Sequence, residues 1–320
     1  MNASSAAAMP QAAANPTNSH STGGTWRMVA AMVLSGTIGL AVIESGLPVE
    51  RVVLLRCLLG ALGLGLWLWW QRAWVRPDRR AWTAMLIGGL ALVANWVMLF
   101  HAYAYVGIAI ATVVYHVQPF MLVLAAALGG EAMGRRKLLW MLLALAGVVL
   151  SSGLGSEAAA TIAAQASAPV WGIVLALLAA ALYTVTVVST RRVQGIAPAQ
   201  IAMVQMLVGG AALAVWSAPQ LVQMVGPSAH LPSVKTLVCV LVLGLLHTAL
   251  MYGLMYGAFQ RLGPAAIAIL SFIYPAVALA VDLLWFGAHP STLQWWGMGL
   301  IVAAVLGFRW QDLRGGERST

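Results

Sequence analysis

Asp282, Glu44, Arg56 and Glu131 are the ionisable residues whose placement asks for a chemical explanation. All four lie within or beside long apolar runs, and an ionised side chain at the centre of a bilayer costs about 2.5–3.5 kcal/mol on insertion scales. Asp282 shares one helical face with Ser271, Pro275 and Ala278, because residues three and four apart stack on a helix. A carboxyl so placed can take up a proton or bind an amino group. The plainer reading is an acid that bonds its helix to a neighbour. Arg56 is the one base deep in a run, so Asp282 is expected either to pair with Arg56 or to stay protonated for part of a cycle. Glu44 and Arg56 flank a tight turn through Gly46–Pro48, which predicts an ion pair fixing the first two helices, with substrate contact as the second reading. Glu131, close to Arg135 and Arg136, reads as an interfacial anchor or a gate residue.

Uncharged polar side chains outline a path for a ligand. Asn95 lies on a stripe with Gly88 and Ala91; Thr112, His116 and Pro119 form another, with Tyr115 and Gln118 alongside. Thr248, Tyr252 and Tyr256 recur at helical spacing with His247 adjacent, and Tyr274 precedes Pro275 as Gln118 precedes Pro119. A proline inside an apolar helix removes one backbone bond and frees a carbonyl, so Pro119 and Pro275 are expected kinks. Each of these residues taken singly reads as core packing; their convergence near one depth reads as a polar pathway. This is binding chemistry. The chain has no GxSxG turn, no HExxH and no phosphate-binding loop, so no catalytic residue, metal or cofactor is expected.

The elements that must carry these residues are membrane helices. Hydrophobic residues make up 62% of the chain and charged ones 8%, whereas a soluble domain carries about a quarter of its residues charged. Runs long enough to span a bilayer of about 30 Å recur at Met28–Ile43, Val52–Trp70, Ala81–Tyr103, Gly107–Gly130, Leu138–Leu154, Val170–Val188, Ile201–Trp216, Leu237–Phe259, Pro264–Phe286 and Leu293–Phe308. They lack the alternation of barrel strands, so helices are the way to satisfy every backbone group in lipid. The net charge of +9 is no nucleic-acid signature, because the bases sit at the ends of the runs and form no basic face. With both termini in the cytoplasm, only Arg51 and Lys235 of the 17 Lys and Arg fall on the outer side, and Arg56 lies within a span; this follows the positive-inside rule. Cys57 and Cys239 lie within apolar runs and read as buried thiols. Residues 1–25, rich in Ala, Ser, Asn and Pro, read as a disordered tail and carry no signal-peptide pattern.

The chain repeats itself. One constant shift lays Gly88 on Gly244, Leu90 on Leu246, Ala102 on Ala258, Gly107 on Gly263, Pro119 on Pro275 and Trp140 on Trp296. Five spans in each half is an odd number, so the second half enters the membrane from the opposite side. The expected architecture is an all-α integral membrane protein of ten transmembrane helices in two inverted five-helix repeats. The repeats are expected at 26–154 and 170–309, joined by an outer linker at 155–169 and followed by a cytoplasmic tail at 310–320.

The run from Tyr115-His-Val-Gln-Pro119 through Gly130-Glu131 to the Gly147 helix resembles an EamA repeat of the drug/metabolite transporter superfamily. Its partner is Ser271-Phe-Ile-Tyr-Pro275 through Asp282 to Gln294-Trp-Trp-Gly297. Arg56 resembles the arginine common in the second span of that family. The spacing from Pro119 to Glu131 is not repeated after Pro275, where the matching position is Gly287 and the acid comes earlier as Asp282. The resemblance implies a secondary active transporter that exports or exchanges a small metabolite, an amino acid or related compound, by alternating access between the repeats. A multidrug-type efflux carrier or a channel is the alternative, and a membrane-embedded enzyme a more distant one. The partners expected are the lipid bilayer, a small-molecule substrate, a coupling proton or exchanged substrate, and a second copy of the chain, in a bacterial inner membrane.

Overall fold

The computed structural model describes residues 16–131, 134–152, 169–218, 232–285 and 290–317. Among them the chain is helical: α1 Pro16–Gly36, α2 Ile38–Ser45, α3 Val49–Gln71, α4 Arg79–Tyr115, α5 Gln118–Leu128, α6 Arg135–Ser151, α7 Pro169–Arg192, α8 Pro198–Trp216, α9 Val234–Leu241, a π-helical stretch Val242–Leu250, α10 Met251–Phe259, α11 Pro264–Ser271, α12 Ile273–Trp285 and α13 Thr292–Glu317. Eight segments are long and apolar enough to cross a membrane. The shorter α6, 17 residues, and α13 pack together and complete the set of ten.

The packing is that of two interlocked repeats. Helix α4 lies against α7 and α8, while the π segment and α10 lie against α3 and α1, the counterparts of α8 and α7. Likewise α5 packs on α7 as α11 and α12 pack on α1. Helix α5 also packs on α11, the other half of its partner's broken span, and two further seams join like with like, α3 with α8 and α6 with α13. At the last of these, a Cβ on Gly147 would meet the Gly297 carbonyl oxygen at 2.7 Å, so bare backbone on both helices sets the close approach.

Both expected proline kinks are realised as complete breaks. A proline ring clashes with the carbonyl four residues earlier. Accordingly α4 stops at Tyr115, four before Pro119, and α11 stops at Ser271, four before Pro275. Asn95 Nδ2 lies 3.3 Å from Tyr115 Oη, whereas 20 residues of straight helix would hold them about 30 Å apart, so the chain turns back between the spans Arg79–Val106 and Ile110–Leu128, where Val106–Gly107 suggests a break. One expectation is corrected. Residues 16–25, read as tail, belong to α1, anchored where Thr25 Oγ1 accepts from Arg309 Nη1 at 2.9 Å. The C-terminal tail is helical through Glu317, and Trp140 Nε1 donates to Gln311 Oε1 at 2.9 Å. In both tails a tertiary contact overrides a composition that is neutral on its own. The expected linker, apart from Pro169, lies outside the described residues.

Candidate functional site

Arg56 anchors the centre of the molecule. Its helix α3 faces the π segment, and the residue is 3% exposed. Nε donates to Thr248 Oγ1 at 3.1 Å and Nη2 to the His247 carbonyl at 3.4 Å, while the guanidinium carbon stands 4.6 Å from the Trp96 ring centroid. Thr248 spends its own proton on the Leu243 carbonyl at 2.7 Å, leaving its oxygen free to accept from Arg56. No carboxylate among the described residues pairs with this cation. Every described group holding it is a neutral acceptor or an aromatic face.

The π stretch supplies part of this geometry. In a π-helix each backbone N–H bonds five residues back; within this stretch the Thr248 hydroxyl also donates five residues back, to the Leu243 carbonyl, and the His247 carbonyl accepts from Arg56. His247 itself is 3% exposed. Its Nε2 lies 2.7 Å from Thr37 Oγ1, and Thr37 gives its proton to the Leu34 carbonyl at 2.8 Å. Nε2 must therefore be the donor of that pair, which leaves Nδ1 a bare acceptor. It has no partner.

A second unpartnered acceptor is Asn95 Oδ1. Asn95, 1% exposed, donates from Nδ2 to Tyr115 Oη at 3.3 Å and to the Ala179 carbonyl at 2.8 Å. Both hydrogens of the amide are thereby used. A buried acceptor without a donor costs about 1–3 kcal/mol, so two of them in one core call for a ligand or ordered water.

Aromatic rings line the space between these poles. Tyr252 meets Trp96 edge-on with centroids 5.8 Å apart and Tyr256 at 5.5 Å. Tyr115 lies 6.2 Å from Tyr183. At the crossing of the two broken helices the His116 ring stacks on Tyr274 at 5.6 Å, nearly parallel, with Phe272 at 5.9 Å. Gln118 is buried one residue before Pro119. Tyr256 gives its hydroxyl proton to Gln205 Oε1, and Gln205 Nε2 donates to Thr190 Oγ1 at 3.1 Å, so this pair is internally satisfied.

The expected Glu44–Arg56 pair is not formed. Glu44, at the end of α2, pairs with Lys235 at the start of α9 and accepts from Trp285 Nε1 at 3.3 Å. The turn after α2 brings the helices together, but Arg56 lies two helical turns into α3 on the face toward the π segment. Glu131 pairs with Arg191 at 3.4 Å at an exposed position, joining α5 to α7, where the sequence offers Arg135 and Arg136 as neighbours. The side chain of Asp282 lies outside the described residues. Sequence reasoning missed Trp96, Tyr183, Gln205 and Thr37, all within apolar runs. Only Trp96 carried a signal, lying next to Asn95.

Two five-span repeats locked through paired broken helices, around a buried cation and unpartnered acceptors, define a polytopic membrane transporter. The model of the EamA-like transporter family matches residues 22–153 and 170–310, and the chain belongs to that family. It is 28% identical over 294 residues to the "Uncharacterized transporter YxxF" of Bacillus subtilis (strain 168), a match covering 87% of each chain. A solved crystal structure at 20% identity has the same fold, with a TM-score of 0.75 over 88% of this chain and 96% of the other.

Proposed function

We propose that the protein is a secondary carrier that exports or exchanges a small carboxylate-bearing metabolite, an amino acid or related compound, by alternating access at the Arg56 site. The observation that carries this reading is Arg56 itself. Among the described residues this buried cation is held only by neutral groups, and a bound carboxylate supplies a counter-ion with strong, directional bonds. The two bare acceptors, His247 Nδ1 and Asn95 Oδ1, favour a ligand that also brings hydrogen-bond donors, and an ammonium group among the rings of Trp96, Tyr252 and Tyr115 gains cation–π attraction. The seam between the repeats is where carriers built from inverted repeats bind substrate.

Asp282 remains the coupling residue of this proposal, with Glu131 near one end of the path. Both termini lie on the arginine-rich face, which we assign to the cytoplasm of a bacterial inner membrane. The chain carries no phosphate-cradling loop, so an existing gradient or an exchanged substrate drives the cycle.

The test begins with a screen for metabolites whose export changes on deletion and overexpression. Purified chain in proteoliposomes is then assayed for counterflow of the compounds returned. Saturable uptake stimulated by internal substrate supports the carrier; conductance far above carrier turnover replaces it with a channel, and transport of many unrelated apolar compounds replaces it with a multidrug carrier. Asp282→Asn is expected to leave abundance normal and remove dependence on the proton gradient.

A further inference from the structure

The shift that lays Gly88 on Gly244 also lays Arg79 on Lys235. The two cations occupy equivalent starts of equivalent helices, α4 and α9, yet their surroundings differ. Lys235 faces Glu44 at the end of α2 and is neutralised by it. Arg79 and Arg80 face the last turn of α7, which ends in Arg191 and Arg192. Arg191 is engaged by Glu131. Arg79, Arg80 and Arg192 have no carboxylate partner among the described residues, and Asp78 beside them turns its carboxylate to the Ala81 amide at 2.7 Å.

These three arginines, with Thr83, Ala84, Ile87 and Ser189, line a groove of about 540 Å³ between α4 and α7. Like charges at the mouth of one groove repel unless an anion sits between them. The first turn of α4 adds the positive end of its helix dipole to the same place. From the groove a strip of side chains continues along one face of α4. Thr83, Ile87 and Leu90 follow at helical spacing, with Ile87 48% and Leu90 50% exposed. A charged mouth that opens onto an exposed apolar track suits a molecule with a phosphate at one end and hydrocarbon at the other.

We infer that the α4–α7 groove binds the phosphate headgroup of an anionic phospholipid, with the acyl chain along Ile87 and Leu90. The lipid phosphate is to α4 and α7 what the Glu44 carboxylate is to α9 and α2: the counter-charge that holds two helix ends together. This site is separate from the Arg56 site and stands whether or not the proposed substrate is correct.

The test uses the full chain in bilayer discs of phosphatidylcholine, titrated with phosphatidylglycerol and read by native mass spectrometry and by thermal unfolding. Phosphatidylglycerol is expected to be retained in preference to phosphatidylcholine and to raise the unfolding midpoint. Combining Arg79→Gln, Arg80→Gln and Arg192→Gln is expected to weaken that retention roughly a hundredfold, from the usual contribution of each base to anionic-lipid affinity. Arg135→Gln with Arg136→Gln should leave it unchanged. Where the triple variant does not fold, Arg192→Gln alone is expected to lower retention about fivefold. Wild-type retention in these variants, or equal loss in the Arg135/Arg136 pair, overturns the site. Displacement of the lipid by millimolar inorganic phosphate overturns the lipid assignment in favour of a free anion.

Discussion

Lys235 lies at the start of the eighth span and Arg56 lies against its middle, and the two cations are treated in opposite ways. Lys235 is largely exposed, meets a carboxylate and shares it with the Trp285 indole. Arg56 is buried and meets a hydroxyl, a backbone carbonyl and a ring face. The exposed cation, for which water would suffice, has a formal counter-ion, while the buried one, which needs it more, has none among the described residues. Burial of an unbalanced charge is costly, and replacing such a group with an apolar one is often stabilising. Under the proposed function, a charge kept at that cost is explained by a substrate that comes and goes, and the difference separates a pair that fastens helices from a cation that waits for a ligand.

The largest effect that would sharpen this contrast is expected from Arg56→Gln. Loss of a buried charge–charge contact costs about 2–5 kcal/mol, so counterflow should fall by at least about thirtyfold while abundance and unfolding temperature hold or rise. A collapse in abundance would instead make Arg56 a structural strut and break the contrast. Next comes Thr248→Val, similar in shape but without the acceptor for Arg56 Nε. A hydrogen bond to a charged group contributes about 1.5–3 kcal/mol, so apparent substrate affinity should drop by at least about tenfold. Trp96→Leu removes the ring beneath the guanidinium, a desolvated cation–π contact of about 2 kcal/mol, and transport should fall by up to about thirtyfold. Smallest of all is Glu44→Gln. An exposed pair contributes little to stability, so abundance and counterflow should match wild type at physiological salt; a loss comparable to that of Arg56→Gln would erase the distinction between the two cations.

The parts of this picture legible in the sequence are those governed by local chemistry. Apolar runs mark the spans because backbone groups in lipid must bond within their own helix. Pro119 and Pro275 mark the breaks because the ring excludes the carbonyl four residues back, and the helices stop at Tyr115 and Ser271 as that geometry requires. Asn95, Tyr115, His116, His247, Tyr252, Tyr256 and Tyr274 are brought into one aromatic and polar core.

What was not legible depends on which way a side chain turns once helices pack. Glu44 and Arg56 are close in sequence, but helical rotation sends one to Lys235 and the other to Thr248. Gln205 looks like an isolated amide until Tyr256 meets it across two helices. The π stretch at Val242–Leu250 has no compositional mark, although it carries the carbonyl and hydroxyl that hold Arg56.

The most direct measurement is counterflow in proteoliposomes with the metabolite the export screen returns, set beside its carboxamide, which keeps the shape and removes the charge. The carboxylate is expected to exchange saturably for labelled substrate, and the carboxamide is expected to be carried at least about thirtyfold less well, with Arg56→Gln abolishing the difference between them. Equal exchange of the two compounds by the wild-type protein, or flux through it that never saturates, would contradict the assignment of Arg56 as the counter-ion of a carried substrate.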